Sequence, residues 1–177
     1  MKFALLCGEL DIPDPDAFLR DLRALAKARG VTLQPLNADL LAGRAHVAKA
    51  FEEAEAARAA GAPFARDPGM ELLLHVSGQT QIFRALEFGV KSGRNRVAVV
   101  AFPPEPGTVG VLKERYGLAE DASLAEYRLE KRRALMSKFN ITAAELKAAG
   151  EERLPELAQE RIALMALERG RGQKVRR

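Results

Sequence analysis

The sequence predicts a mixed α/β or α+β fold, in which a small central sheet of about four strands is wrapped by several helices and the C-terminal third is helical. Three observations predict this class. The 177 residues are 47% hydrophobic and 29% charged, which is typical of a globular domain. Short apolar runs alternate with segments of helical period up to residue 102, and only helical patterns follow Gly107. We therefore expect one globular domain over residues 1–168 and a basic, disordered tail over 169–177.

The first elements alternate between strand and helix. Residues 2–7 form a short apolar run of the kind found in buried strands. A helix is predicted from Pro15, because proline favours the first helical turn and apolar residues then recur at helical spacing until Gly30. Residues 31–36 predict a second strand, which Pro35 confines to an edge or an end of the sheet.

The middle of the chain continues the alternation. An alanine-rich, proline-free run over 43–60 predicts a long helix. The mostly apolar run at 70–76 predicts a third strand, and the β-branched run at 97–102 predicts a central one. Between them, residues 79–90 predict a helix that packs three apolar side chains inward: Ile82, Phe83 and Leu86. Four further helices are predicted after Gly107, over 108–116, 122–139, 142–149 and 154–169.

Charge is uneven along the chain. The formal net charge is +4, but residues 169–177 hold five basic residues and no acid, so the first 168 residues carry 23 basic and 24 acidic groups. Two interpretations of this tail stay open, a solvated disordered end or an arm that lies on nucleic-acid phosphate. No apolar stretch approaches the ~20 residues of a membrane span, and acids end the N-terminal run before signal-peptide length. With Cys7 as the single cysteine, we expect a cytoplasmic protein in a reducing compartment.

Catalytic motifs are absent from the sequence. It contains no glycine-rich dinucleotide turn, no phosphate-cradling loop and no nucleophile elbow. His46 and His75 lie 29 residues apart on different predicted elements, and with one cysteine they cannot complete a zinc site. We expect His75 to be structural, whereas His46, in the first turn of a helix beside Arg44, is a candidate for binding an anion. The sequence predicts a protein that is not an enzyme and holds no cofactor or metal.

The densest functional signal lies at residues 77–96. Ser77 and Gly78 end the predicted third strand, and the following helix start would leave backbone N–H groups free for an anion. Four basic residues in this window oppose one acid, Glu87; they are Arg84, Lys91, Arg94 and Arg96. A phosphate backbone fits this local charge of +3. The alternative is an ordinary connector in which basic residues complement the end of a helix.

Several sequence blocks carry a family resemblance. In chain order they are Leu36–Asp39, Arg44, His46–Val47, Met70–Leu74, Ser77–Ile82 and Ala85–Leu86. In order and spacing these blocks resemble the small kinase-binding subunit of the KEOPS complex, the family of the human PRPK-binding protein, and the archaeal type in particular. The resemblance runs from about residue 31 to 102 and resumes weakly at 160–164.

The resemblance implies a fold, a function and partners. It implies a small α/β domain without catalytic activity that binds and stimulates the atypical kinase-like ATPase of the complex. The complex forms threonylcarbamoyladenosine beside the anticodon of tRNA, and archaeal small subunits are implicated in holding the single-stranded CCA end.

Site residues follow from the matched positions. The tRNA contact falls on the turn, with Arg44 and His46 nearby, and the matched residues are Ser77, Gly78, Gln79, Gln81 and Ile82. Related archaeal sequences tend to have Arg where this chain has Thr80, so a phosphate contact is either missing or supplied by Arg84.

The last predicted helix carries a wide apolar face. Its apolar residues fill an arc of roughly 160°, more than the ~100° that one core-facing helix needs. The surplus predicts either a contact with the kinase-like partner or packing against two helices of the same domain; the candidate partner-binding residues are Leu157, Ile162, Leu164 and Met165.

The competing function is a standalone small RNA-binding or RNA-processing protein that uses the basic turn and the tail.

Overall fold

The computed structural model describes residues 2–174, and over 168–174 it describes the backbone alone. Twelve strands and α-helices follow one another along these residues. They are β1 (Ala4–Ile12), α1 (Pro15–Arg29), β2 (Thr32–Asn37), α2 (Arg44–Ala59), α3 (Pro68–Ser77), α4 (Ile82–Ala85), β3 (Gly93–Phe102), α5 (Thr108–Tyr116), β4 (Ala119–Glu120), α6 (Arg132–Lys138), α7 (Ala143–Ala149) and α8 (Leu154–Lys174). Within residues 2–174 no helix is long and apolar enough to cross a membrane. The last three residues of the predicted basic tail, 175–177, lie outside the described residues.

The chain divides into two compact units. The first comprises Met1–Asp39 and Gly89–Ala125, and the second comprises Leu40–Phe88 and Glu126–Arg177. All the strands lie in the first unit and the candidate site lies in the second. The mixed α/β class with a four-stranded sheet is confirmed.

The first unit is a four-stranded antiparallel sheet in the order β2-β3-β1-β4. Its core contains apolar side chains of the sheet, α1 and α5, among them Leu6, Leu25, Val99 and Leu112. Gly8 allows the short β4 to approach β1, because a Cβ at Gly8 would lie 2.3 Å from the carbonyl oxygen of Ala119. Cys7 is buried in β1, as a small apolar residue would be.

Strand β1 is longer than the predicted strand at 2–7. It pairs with β3 from Ala4 to Ile12, although Glu9 and Asp11 interrupt the apolar run. These acids are tolerated because they face arginines across the ladder: Glu9 is opposite Arg96, and Asp11 is opposite Arg94. The Arg94 guanidinium donates to the Glu9 carboxylate and holds the pKa of that carboxyl below its usual value.

The second unit is helical. Helix α2 contacts both α3 and α8, and α3 also contacts α8. Apolar side chains of these helices are buried, including Val47, Leu72, Leu74, Ala158 and Ile162, each with at most 1% of its surface exposed, and four polar ones are buried with them: His46, Glu71, His75 and Ser77. Burial of this apolar surface is what holds these three helices together.

Two predicted elements of the second unit are wrong. Residues 70–76, predicted as a strand, belong to helix α3, which Asp67 caps by accepting a hydrogen bond from the Met70 N–H at 2.8 Å. Residues 79–90, predicted as one helix, contain only the single turn α4 and a 3₁₀ turn at Leu86–Phe88. The fourth strand of the sheet is instead β4, two residues long.

The predicted helix over 122–139 is also shorter than expected. Two 3₁₀ turns, Ala122–Ala125 and Leu129–Lys131, precede α6, which spans Arg132–Lys138. The predicted helices over 108–116, 142–149 and 154–169 correspond to α5, α7 and α8. α7 begins with a capping box, in which Thr142 and Glu145 each accept from the other's backbone N–H.

Candidate functional site

The turn after α3 is the end of a helix. Gly78 adopts a left-handed conformation with φ 62°. Its N–H donates to the carbonyl of His75 at 3.1 Å, and the Gln79 N–H donates to that of Leu74 at 3.1 Å. This is a C-terminal cap, so the predicted helix start with free N–H donors at Gly78 is wrong. The polar capacity of the turn lies instead in the side chains of Gln79, Thr80 and Gln81, which are partly or fully exposed.

The side chains of Ser77 and His46 are fully buried, so they cannot contact a partner directly. The Ser77 hydroxyl donates to the Leu74 carbonyl at 2.9 Å, and the residue has no exposed surface. The His46 Nδ1 accepts from the Ala42 N–H at 3.0 Å, and Nε2 donates to the Val76 carbonyl at 2.8 Å. Both side chains support the backbone before Gly78, so their predicted contact with tRNA is corrected to a structural role.

His46 is neutral in this environment. Complete burial is the main cause that lowers its pKa to about 4, and the nearby Lys131 ammonium acts in the same direction. Its ring lies edge-on to Phe139, with the ring centroids 5.3 Å apart, and Phe139 in turn lies edge-on to Phe88 at 5.8 Å. The buried rings of His46, Phe139 and Phe88 therefore pack against one another next to the turn at Gly78.

Three large apolar side chains point outward after the turn. Ile82 is 48% exposed, Phe83 67% and Leu86 53%, so the prediction that they pack inward is wrong. Ala85 and Phe88 face the core instead. They are three residues apart, so they lie on the same face of this short helical segment, and only that face is buried. The Arg84 guanidinium carbon lies 5.7 Å from the centroid of the Phe83 ring. We define the α4 surface as five exposed side chains of this segment: Gln81, Ile82, Phe83, Arg84 and Leu86.

A groove adjoins the turn. Its volume is about 310 Å³, and its lining residues come from the turn, from the end of α6 and from α8: Gly78, Gln79, Thr80, Lys138, Phe139, Asn140, Arg161, Leu164 and Met165. Gln79 and Lys138 also line a second cavity, of about 270 Å³, together with Phe83 and Arg84. The two cavities therefore share residues, and they join the groove to the α4 surface.

The groove contains two cations that are differently held. Arg161 donates from Nε to the carbonyl of Phe139 at 3.2 Å and pairs with Glu145, whose pKa it lowers. Lys138 donates to the Glu87 carboxylate, and this hydrogen bond is the main cause that lowers the pKa of Glu87. Side-chain exposure is 35% for Lys138 and 51% for Glu87, so water reaches both members of the second pair.

Comparison with known proteins bears on the family of this chain. No family model matches the sequence. The chain is 31% identical over 141 residues to the regulatory protein Cgi121 of the archaeon Methanocaldococcus jannaschii, and the match covers 79% of this chain and 87% of the relative. The chain belongs to the Cgi121 family.

Cgi121 membership confirms the family resemblance stated from the sequence blocks. The relative's name describes a regulatory protein, which is in line with the prediction that this chain is not an enzyme. Among the side chains that the structure describes, residues 2–167, no three metal-binding ones come together. His75, expected on a strand, lies on α3, fully buried, with Nε2 3.1 Å from the Glu71 carboxylate.

In this member of the Cgi121 family, some of the predicted site residues are exposed and others are buried. Gln79, Gln81, Ile82 and Arg84 line the turn and the α4 surface, and Arg44 is exposed at the start of α2. Of the predicted partner-binding residues, only Leu164 is well exposed, at 44%. The other three are buried in the second unit, with 9% exposure or less, because α8 packs against α2 and α3: Leu157, Ile162 and Met165.

The sequence reasoning did not single out Lys138, Phe139 or Asn140. The predicted helix over 122–139 includes Lys138 and Phe139 but not Asn140, and α6 ends at Lys138, close to the predicted end. Asn140 has φ 51°, and asparagine is the residue after glycine that best tolerates this left-handed conformation. The helical pattern could not indicate that these three residues line the groove beside Gly78.

Proposed function

We propose that this chain is the small regulatory subunit of a KEOPS complex, and that it binds the kinase-like ATPase subunit and holds the 3′ CCA end of tRNA. Membership of the Cgi121 family supports the regulatory assignment. The observation that carries the RNA assignment is the exposure of Ile82, Phe83 and Leu86 within the sequence block that matches the family. In this proposal the α4 surface is the contact for the unpaired RNA end.

The chemistry of the α4 surface suits unpaired nucleotides. A base that is not stacked in a helix gains about 1–3 kcal/mol by stacking on an aromatic side chain, and Phe83 offers an exposed ring. Gln79 and Gln81 carry amides that both donate and accept, so they can bind the edges of bases. Arg84, held over the Phe83 ring, places a positive charge beside the stacked base.

The proposed mechanism needs no reacting group from this chain. Binding of the acceptor end fixes the orientation of the tRNA relative to the catalytic subunit of the complex, which raises the rate of threonylcarbamoyladenosine formation. Binding to the ATPase subunit stimulates it by favouring one of its conformations. For the ATPase contact, Leu164 is the predicted residue with an exposed side chain, and Leu167, three residues further on α8, is 64% exposed.

The RNA assignment is tested by a charge placed on the α4 surface. Ile82→Glu should reduce the affinity for tRNA at least tenfold in a fluorescence-anisotropy titration, because a carboxylate replaces an apolar contact and repels phosphate. Leu129→Glu is the matched control, since Leu129 is 76% exposed on a different element of the same unit. Circular dichroism checks that both variants keep their helix content.

Two results would overturn the RNA assignment. One is equal tRNA binding by the Ile82→Glu and Leu129→Glu variants. The other is equal affinity of the wild-type chain for tRNA with and without its CCA nucleotides.

The ATPase assignment is tested by co-purification. The tagged chain should recover a small kinase-like ATPase from its native extract, identified by mass spectrometry. Recovery of RNA without such a protein would instead support a standalone RNA-binding protein.

A further inference from the structure

The groove beside the turn is lined by polar and charged side chains and adjoins the α4 surface. Hydrogen-bonding side chains of Gln79, Thr80 and Asn140 line it, together with the cations Lys138 and Arg161. Gln79 and Lys138 also line the cavity that contains Phe83 and Arg84. An extended RNA strand that stacks a base on the α4 surface therefore has an adjacent place for its phosphates.

Lys138 is the cation in this groove that can change partner. Arg161 is held by the Phe139 carbonyl and by Glu145, so it has a fixed structural role between α8 and the end of α6. Lys138 pairs with Glu87, and both side chains are reached by water. Ion pairs with this exposure add little to folding, so replacing one acceptor of Lys138 by another costs little.

Arg84 lies on the other side of this arrangement. It is held over the Phe83 ring and lines the cavity beside the groove, together with Glu87. Its positive charge acts on Glu87 and contributes to the lowered pKa of that carboxyl. Arg84 therefore remains as a neighbouring positive charge for Glu87 when Lys138 leaves it.

We propose that Lys138 is a phosphate-binding residue, which exchanges the Glu87 carboxylate for a phosphate of the bound single-stranded RNA end. This inference rests on the proposed function of the α4 surface. In it, Glu87 competes with RNA for Lys138, so the ion pair lowers the affinity of the site for RNA. Thr80 carries no charge, so the phosphate is bound instead by Lys138, at the end of α6, which lines the same groove.

Removal of the lysine charge tests the contact directly. The full-length chain is titrated with a fluorescently labelled tRNA transcript ending in CCA, at several salt concentrations. One contact to a single-stranded phosphate contributes a slope of about −0.7 in log K against log salt, which corresponds to about fivefold in affinity at 0.1 M salt. Lys138→Gln should reduce the affinity by about fivefold and make the slope shallower by about 0.7. Arg133→Gln, which removes one exposed cation from the same helix, should leave the slope unchanged.

Two further variants test the exchange itself. Glu87→Gln should raise the affinity, because Lys138 no longer has a competing carboxylate. This gain should be several times smaller when Lys138 is already Gln, whereas a simple loss of negative charge would give the same gain in both backgrounds. Thr80→Arg should restore affinity to the Lys138→Gln variant, because it returns a cation to the same groove.

The outcomes separate this inference from the proposed function. If wild-type binding depends on Ile82 but Lys138→Gln keeps the wild-type affinity and slope, the exchange is wrong and the RNA site stands. If Glu87→Gln gives the same gain with and without Lys138, the competition is also wrong. If the wild-type chain binds tRNA no better than the Ile82→Glu variant, the proposed function itself fails.

Discussion

Helix α3 and the α4 surface are consecutive segments of the chain, both rich in large apolar residues, yet they bury them very differently. Leu72, Leu74 and Val76 have at most 1% of their surface exposed. Only a few residues later, Ile82 and Phe83 are about half exposed or more. The change occurs across the turn at Gly78.

Apolar side chains therefore have two different roles in these neighbouring segments. The apolar side chains of α3 stabilise the second unit, because folding removes them from water. Those of the α4 surface contribute little to folding, since they stay in water in the isolated chain. An exposed apolar cluster of this kind is typical of a surface that binds a partner.

The largest expected effect compares one leucine from each segment. Leu72→Ala should lower the free energy of unfolding by about 2–5 kcal/mol, because it leaves a cavity where Leu72 is fully buried. Leu86→Ala, at a position that is 53% exposed, should change it by less than about 0.5 kcal/mol. Urea denaturation followed by circular dichroism measures both values. Similar costs for the two variants would break the comparison.

The next effect concerns His46, the buried support of the turn. Its pKa is about 4 in the folded chain and about 6.5 in the unfolded chain, so below pH 6.5 the unfolded chain binds a proton that the folded chain does not. Stability should therefore fall as pH decreases from 6.5 to 4, by on the order of 3 kcal/mol in total.

A His46→Gln variant sharpens the pH measurement. Glutamine does not titrate, so the variant should be less stable at pH 7 and its stability should vary less between pH 6.5 and 4.5. Urea midpoints across this range provide the test. Parallel profiles for the wild type and the variant would show that His46 is not the group responsible.

The smallest effect concerns the boundary residue itself. Gly78→Ala should cost about 1–2 kcal/mol, because alanine is strained at φ 62°. The added Cβ would lie 3.5 Å from the Phe139 ring, an ordinary contact, so strain alone accounts for the cost. Gly110→Ala, inside α5 with open space around it, should instead stabilise the chain by about 0.5–1 kcal/mol. A destabilised Gly110→Ala variant would contradict the argument from backbone conformation.

The sequence predicted the fold where local signals and tertiary context agree. The long helices α1 and α2 lie where periodicity and their end residues indicate, whereas β3 begins at Gly93, before the predicted run at 97–102, and α8 continues past the predicted end at 169 to Lys174. Residues 70–76 did not follow, because α3 is buried on nearly all sides, its polar Glu71 and His75 included, so it has no solvent-facing polar stripe. A short, mostly apolar run fits either element. Asp67 followed by Pro68 was the overlooked signal, since an N-cap acid before proline starts a helix. β4, at two residues, is too short for any pattern to reveal.

The candidate site was predicted only in part. Gln79, Gln81, Ile82 and Arg84 are at the surface, as a contact requires. The burial of His46 could not be predicted, because it depends on Val76 from a different helix. The same holds for Lys138, which α6 brings beside the turn from about sixty residues away in the sequence.

The cap at Gly78 has a consequence for the motions of the turn. The N–H groups of Gly78 and Gln79 lie near the surface, but they are bonded to the last carbonyls of the buried helix α3. Their exchange with deuterium requires the last turn of α3 to open, whereas the single turn of α4 can open by itself. Hydrogen exchange should therefore protect these two amides more than those of α4. A bound partner would then contact a well-ordered turn at Gly78 and, next to it, a segment that opens more easily.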